Sequence, residues 1–157
     1  MSRAFVSEDA AAAEAALPPE RPVPPGPNPV TPAGLAAIRA EIARLGAALS
    51  ALPAQDPARA TLARDLRYWR AREANAELVP PLAVSPGRVV FGAQVTLARD
   101  NGSTQVWRIV GEDEAAPARG LISWRAPLAE ALLGAEPGDE IDPGPGRPRL
   151  CLLRLDP

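Results

Sequence analysis

The chain has 157 residues and a formal net charge of -2, enough for one ordinary domain with a smaller element beside it, or for two small domains with modest cores. It contains no histidine and a single cysteine, Cys151. Those two facts exclude a Ser-His-Asp or Cys-His nucleophile system, an imidazole general base, a zinc site of His and Cys ligands, and a disulfide framework within the chain. All 17 basic residues are arginine, set against 19 acids, so no basic footprint for general nucleic-acid binding is present. Cys151 lies in the apolar run Leu150 to Leu155 and is expected to be a buried small apolar residue.

Residues 1–30 read as an extended, disordered tail: an alanine-rich patch followed by LPPERPVPPGPNPV, in which proline favours polyproline II and removes amide donors. Glu8, Asp9 and Glu14 break any secretory pattern there, and no apolar run reaches membrane length, so a cytoplasmic protein is expected.

Thr31-Pro32 is a helix start, with threonine as N-cap and proline in the first turn, where its missing N–H costs nothing. Leu35, Ile38, Ile42, Leu45, Leu49 and Leu52 follow at spacings of 3, 4, 3, 4 and 3, which is a heptad seam. Pro53 stops it, and Asp56-Pro57 repeats the cap-plus-proline signal before a second helix with Leu62, Leu66, Trp69 and Ala76 on its apolar face. A connection this short makes the helices antiparallel, so residues 31–79 are expected to form a helical hairpin. Arg59, Arg64, Arg67, Arg70 and Arg72 are spread around the second helix and are expected to form a solvated charged face, paired with Asp65, Glu73 and Glu77.

Prolines 80, 81 and 86 mark a linker over 80–87, after which the apolar period shifts toward two. Strands are expected at 89–98, 104–110, 121–124, 140–142 and 149–155, with a tight turn at Asp100-Asn101-Gly102. Pro127 opens one short helix that Gly134 closes, making 88–157 an α+β domain. Glu112-Asp113-Glu114 after a strand reads as a solvated loop, not a metal site.

Three blocks in this region, RVVFGAQVTL, WRIVGEDEAA and LISWRAPLAEALLG, follow in one order and spacing. They resemble the C-terminal domain of the bacterial Gre transcript-cleavage factors, the GreA/GreB type. The resemblance extends over residues 31–157 and implies an antiparallel helical hairpin, a short coiled coil, followed by an FKBP-like antiparallel sheet domain with one short helix. It implies a partner, bacterial RNA polymerase, and nucleic-acid contact only through that partner. The turn before the C-terminal helix would dock at the rim of the secondary channel through Ser123, Trp124, Arg125, Pro127 and Leu128, with Arg125 and Ala126 replacing the family's more usual acidic or polar residue and serine. Pro127 also reads as ordinary helix initiation, and Trp124 as a core residue equally well as an interface anchor.

In that family, acids at the hairpin tip help hold the second magnesium of the polymerase active centre; the pattern is an aspartate, a glutamate three residues on, then asparagine. Here the tip reads LPAQDPARA, where Gln55 precedes Asp56 and Arg59 stands three residues after it. Against the family pattern each helix is about ten residues shorter, which at 1.5 Å per residue shortens the arm by roughly 15 Å. Asp56 then reads as a helix N-cap, with no metal, cofactor or catalytic residue expected. The resemblance thus implies a monomeric elongation regulator lacking normal cleavage stimulation. Its alternatives are a short-armed nucleoside diphosphate kinase regulator and, from the fold alone, a prolyl isomerase, for which the aromatic supply of the C-terminal domain is only Phe91, Trp107 and Trp124. A third is an interaction module whose seam pairs between chains.

Overall fold

The computed structural model describes residues 17–157. The alanine-rich patch and the rest of the tail expected over residues 1–16 lie outside the described residues. Two compact units are present. Of the described residues, one holds 17–25 together with Arg39–Ala74; the other holds Gly26–Ile38 and Asn75–Pro157.

The first unit is built on two helices, α1 (Pro32–Ala51), which begins in the other unit, and α2 (Ala58–Ala74). The heptad seam is used as expected: Leu45 is 2% exposed and Leu66 6%, while Ile42, Leu49, Leu62 and Trp69 are half-buried. Arg39 Nε donates to Glu73 Oε1 at 2.8 Å across the pair. Within residues 17–25, expected to be free, Glu20 and Arg21 reach α2. The Arg21 guanidinium stands 3.8 Å from the Tyr68 ring centroid and 3.7 Å from the Asp65 carboxylate, and Arg67 pairs with Glu20.

In the second unit, strand β1 (Asn28–Val30) precedes α1 and strand β2 (Ala76–Leu78) follows α2, and the two pair in parallel. Parallel pairing needs a crossover, and the helical hairpin is that crossover. The sequence reading placed 28–30 in the tail and 76–78 in the hairpin. What corrects it is a partner brought from far along the chain: Asn28 and Val30 are 0% and 2% exposed, Asn28 Nδ2 donates to Asn75 Oδ1 at 3.0 Å, and Val79 N donates to Val30 O at 2.9 Å.

The remaining strands are β3 (Gln94–Ala98), β4 (Thr104–Val110), β5 (Leu121–Ser123), β6 (Glu140–Ile141) and β7 (Leu150–Asp156), in the order β5-β4-β3-β7-β6. The α+β architecture is the one expected. One pairing departs from an all-antiparallel sheet: β4 and β5 run parallel, joined by two short 3-10 turns instead of a full crossover helix. The β3–β4 hairpin turns where expected, with Gly102 at φ 79° and Asn101 Oδ1 accepting from Ser103 N at 3.0 Å. The first strand begins later than expected because Gly92, at φ 86°, turns the chain, and Val89 bonds to the segment after the short helix instead of to a ladder.

Helix α3 (Pro127–Leu132) packs on one face of the sheet, with Ala129 and Leu132 both 0% exposed. Under it lie Val95, Leu97, Ile109 and Leu152, alternating positions of β3, β4 and β7 that share one face. Cys151 points the other way in that alternation and is half-buried, not buried as expected. No helix among the described residues is long and apolar enough to cross a membrane.

Because Leu132 is the fully buried large side chain of so short a helix, Leu132→Ala should cost about 2–5 kcal/mol, read as a lowered urea midpoint with an unchanged slope.

Candidate functional site

The turn between β5 and α3 gathers all five candidate docking residues. Trp124 N donates to Val110 O at 2.9 Å, one residue past the end of β5. Ser123 then shapes the turn twice: its Oγ accepts from Arg125 N at 3.2 Å, and its carbonyl accepts from Ala126 N at 2.8 Å. Ala126 is an extended N-cap without a side-chain cap bond, and Pro127 follows at the first helical position, exposed. Trp124 is half-buried and packs against the core. Its ring carries Arg125, whose guanidinium carbon lies 5.0 Å from the ring and whose Nε lies 3.4 Å from Glu112 Oε1. Arg125 is therefore held in place by an aromatic face and a carboxylate. Leu128 is half-buried on the first turn of α3.

The acidic stretch Glu112-Asp113-Glu114 is not the solvated loop expected. Glu114 reaches the start of α1: its Oε2 accepts from Thr31 N and from Gly111 N, each at 3.2 Å, and its Oε1 accepts from the Thr31 hydroxyl. Thr31 Oγ1 in turn accepts from Gly34 N at 3.0 Å, the N-cap bond expected of it. Carboxylate, hydroxyl and amides meet where the helix leaves N–H groups without intrahelical partners and where its dipole favours negative charge. Two glycines make room for this. A Cβ on Gly34 would lie 2.2 Å from Glu114 Cδ, and one on Gly111 would lie 2.8 Å from Pro29 O. The sequence signal was Gly34 itself, a poor helix former in a first turn.

At the hairpin tip, Asp56 Oδ1 accepts from Ala58 N at 2.8 Å, so the aspartate caps α2 as expected. Arg59 turns back: its Nη1 donates to Leu49 O and to Leu52 O, both at 2.8 Å. It thereby closes the end of α1, where carbonyls lack partners and a cation is favoured. Gln55 is exposed between them. Asp56 is the one carboxylate of this loop, and a pair of acids suited to a shared magnesium is not formed by its neighbours. Among the described residues no group of three or more His, Cys, Asp or Glu side chains is placed to hold a metal ion.

The charged face of α2 is only partly as expected. Arg64 pairs with Asp65 at 2.8 Å, but Glu73 is taken by Arg39 of α1, Arg67 by Glu20, and Arg72 is 1% exposed. The Arg67 hydrogen bond holds the Glu20 carboxyl below the usual carboxylate value. Two cavities border the sheet. One, of about 540 Å³, is lined by Phe91, Arg108, Leu121 and the Pro80-Pro81-Leu82 linker; the other, of about 310 Å³, includes Trp107 and Leu128. Phe91 and Trp107 thus line different cavities and Trp124 lines neither, so the three aromatics do not form one pocket.

Known proteins resemble the chain along most of its length. The family described as transcription elongation factor GreA/GreB, C-terminal, matches residues 84–143. The transcription elongation factor GreA of Ruegeria pomeroyi is 32% identical over 135 residues, covering 73% of this chain and 86% of that protein. GreA of Alkalilimnicola ehrlichii is 48% identical over 67 residues, 41% of this chain and 42% of the other. Among solved structures, a prokaryotic transcription elongation factor GreA/GreB from Nitrosomonas europaea matches with a TM-score of 0.40 and 24% identity, over 83% of this chain and 98% of that one. The chain belongs to the GreA/GreB family of transcription elongation factors.

Glu114→Ala should destabilise the protein by about 1–3 kcal/mol in chemical denaturation, since it strips acceptors from three donors at once. Arg59→Ala should cost about 1 kcal/mol and speed amide exchange in the last turn of α1, leaving the sheet domain protected. For Glu20, a lowered carboxyl value means that the charged form favours the bound segment. Its contribution is present above the ordinary carboxylate range and is lost as pH falls through the lowered value, so an acid titration should weaken the Arg67–Glu20 pair, a small effect for so exposed a group, and Glu20→Gln should remove that pH dependence.

Proposed function

We propose that this chain binds bacterial RNA polymerase at the secondary channel and regulates elongation without stimulating transcript cleavage in the usual way. Membership of the GreA/GreB family supports the partner. The gathering of Ser123, Trp124, Arg125, Pro127 and Leu128 on one turn supports that turn as the docking surface. The observation that carries the second half is at the tip, where the single carboxylate of the loop, Asp56, spends Oδ1 on the Ala58 amide and the side chain three residues on is Arg59, bonded to α1 carbonyls. Among the described residues Asp56 Oδ2 takes no hydrogen bond, but a single carboxylate with an arginine three residues on does not supply the pair of acids that would hold a magnesium ion and orient a water.

On this reading the protein is an accessory factor in the cytoplasm, not an enzyme, and touches nucleic acid only through the polymerase. It acts as a monomer on this reading, supported by a heptad seam that packs within its own hairpin, with Leu45 and Leu66 buried there. A factor that occupies the channel rim with such a tip competes with cleavage-competent relatives.

Titrated into backtracked elongation complexes supplied with a cleavage-competent Gre factor, the protein should slow RNA cleavage in a dose-dependent way. No change at saturating concentration would remove channel competition and leave the nucleoside diphosphate kinase regulator as the better account.

A further inference from the structure

The segment LPPERPVPP, residues 17–25, is neither helix nor strand, and five of its nine residues are proline. Its burial nevertheless has a period. Pro18, Arg21 and Pro24 are half-buried, while Leu17, Pro19, Glu20, Pro22, Val23 and Pro25 are exposed. Three residues per turn is the repeat of polyproline II, so one edge of an extended helix is turned inward along its length.

The middle residue of that edge meets α2. The Arg21 guanidinium lies 3.8 Å from the Tyr68 ring centroid and 5.9 Å from that of Trp69, and the two rings stand edge to face with centroids 5.4 Å apart. A cation over aromatic faces is attracted by the negative side of their quadrupole. Asp65 stands 3.7 Å from Arg21 Nη1, and Glu20 pairs with Arg67. On α1 the Glu41 carboxyl is held below its usual value by a hydrogen bond from Arg44 and, more weakly, by the charges of Arg44 and Arg21. Asp65 precedes Tyr68 and Trp69 by three and four residues, the spacings that place side chains on one face of a helix.

These contacts hold without locking. The Arg21 side chain is 39% accessible, and those of Arg67 and Glu20 are 57% and 63%. Cation–π and ion-pair contacts at such sites are each worth roughly a factor of two to five in an equilibrium constant, so three of them favour the seated segment by on the order of tenfold to a hundredfold. The prolines add to this, because a backbone already restricted loses little freedom on seating. Departure of Arg21 strands no buried charge, since Asp65 keeps Arg64 at 2.8 Å.

We propose that α2 carries a recognition face for an arginine-polyproline segment, built by Asp65, Arg67, Tyr68 and Trp69, and that residues 18–24 of the same chain are a releasable strap that keeps this face filled. The occupant the face selects brings a cation to two aromatic rings and a carboxylate, an acid one residue before it for Arg67, and prolines three residues to either side. While the strap is seated, the face is withheld from any other segment of that chemistry.

The test uses the full chain with Cys151→Ser, so that Val23→Cys supplies the single thiol for a nitroxide spin label at an exposed position. The label should broaden the amide resonances of residues 64–70 in NMR spectra. Arg21→Glu should lower the ratio of seated to open strap about tenfold or more and remove most of that broadening, with the amide shifts of the sheet unchanged. Arg21→Lys, which keeps a cation over the rings, should retain most of it. A synthetic peptide of residues 17–27, added at about 1 mM, the scale of effective concentration for a short connection, should shift the Asp65 and Trp69 amides of the Arg21→Glu chain and bind the wild-type chain about tenfold more weakly. The same peptide carrying Arg21→Glu should bind neither. No broadening in the wild-type chain, or broadening that Arg21→Glu leaves intact, overturns the strap. Broadening that appears only between labelled and unlabelled copies puts the segment of a second copy on α2 and overturns the intramolecular arrangement. Equal affinity of the peptide for both chains, or binding to neither, overturns the recognition face.

Discussion

The Glu114 carboxylate is the contact on which the start of the arm depends. It takes the Thr31 amide, the Thr31 hydroxyl and the Gly111 amide at one point, where the loop after β4, the end of β1 and the first turn of α1 converge. Gly34 and Gly111 follow from it, because a side chain at either would occupy the space that the carboxylate or the β1 backbone needs. The other end of α1 is closed by the opposite charge, Arg59, bonded to the Leu49 and Leu52 carbonyls. An acid at the N-terminus and a base at the C-terminus is the arrangement a helix dipole favours, and here both groups come from outside the helix.

That economy bears on function. At the tip Asp56 caps α2 through Oδ1 and Arg59 caps α1, and no second acid stands beside Asp56 in the loop. A short hairpin has few other ways to satisfy its end groups, since six residues must turn the chain between Ala51 and Ala58. The proposed role as a channel-binding regulator without cleavage follows from where these polar groups are spent. On that proposal the turn before α3, and not the tip, is the surface that meets the polymerase.

Much of the fold could be read from the chain. The heptad seam, the Thr31 and Asp56 caps, the Asp100-Asn101-Gly102 turn and the Pro127 helix start each rest on local chemistry, and each is where the pattern put it. What escaped depended on partners distant in sequence. Asn28-Pro29-Val30 has no strand signature, and becomes a strand only because residues 76–78 arrive beside it. Glu112-Asp113-Glu114 looks like a solvated loop until Thr31 is placed within reach of Glu114. Residues 17–25 read as free polyproline until Tyr68 and Asp65 offer Arg21 a seat. At the candidate site the residues proposed to dock are contiguous and could be named from the sequence, whereas the contacts that hold them, Arg125 with Glu112 and Trp124 with Val110, join separate segments.

The most direct measurement is a cryo-electron microscopy structure of the protein bound to a backtracked elongation complex, reading the position of the Asp56 carboxylate relative to the catalytic magnesium ions. The account predicts the C-terminal domain at the channel rim, Asp56 still bonded to the Ala58 amide, Arg59 still on the α1 carbonyls, and no carboxylate of the tip in the coordination shell. Asp56 within about 2.0–2.1 Å of a magnesium ion would contradict it.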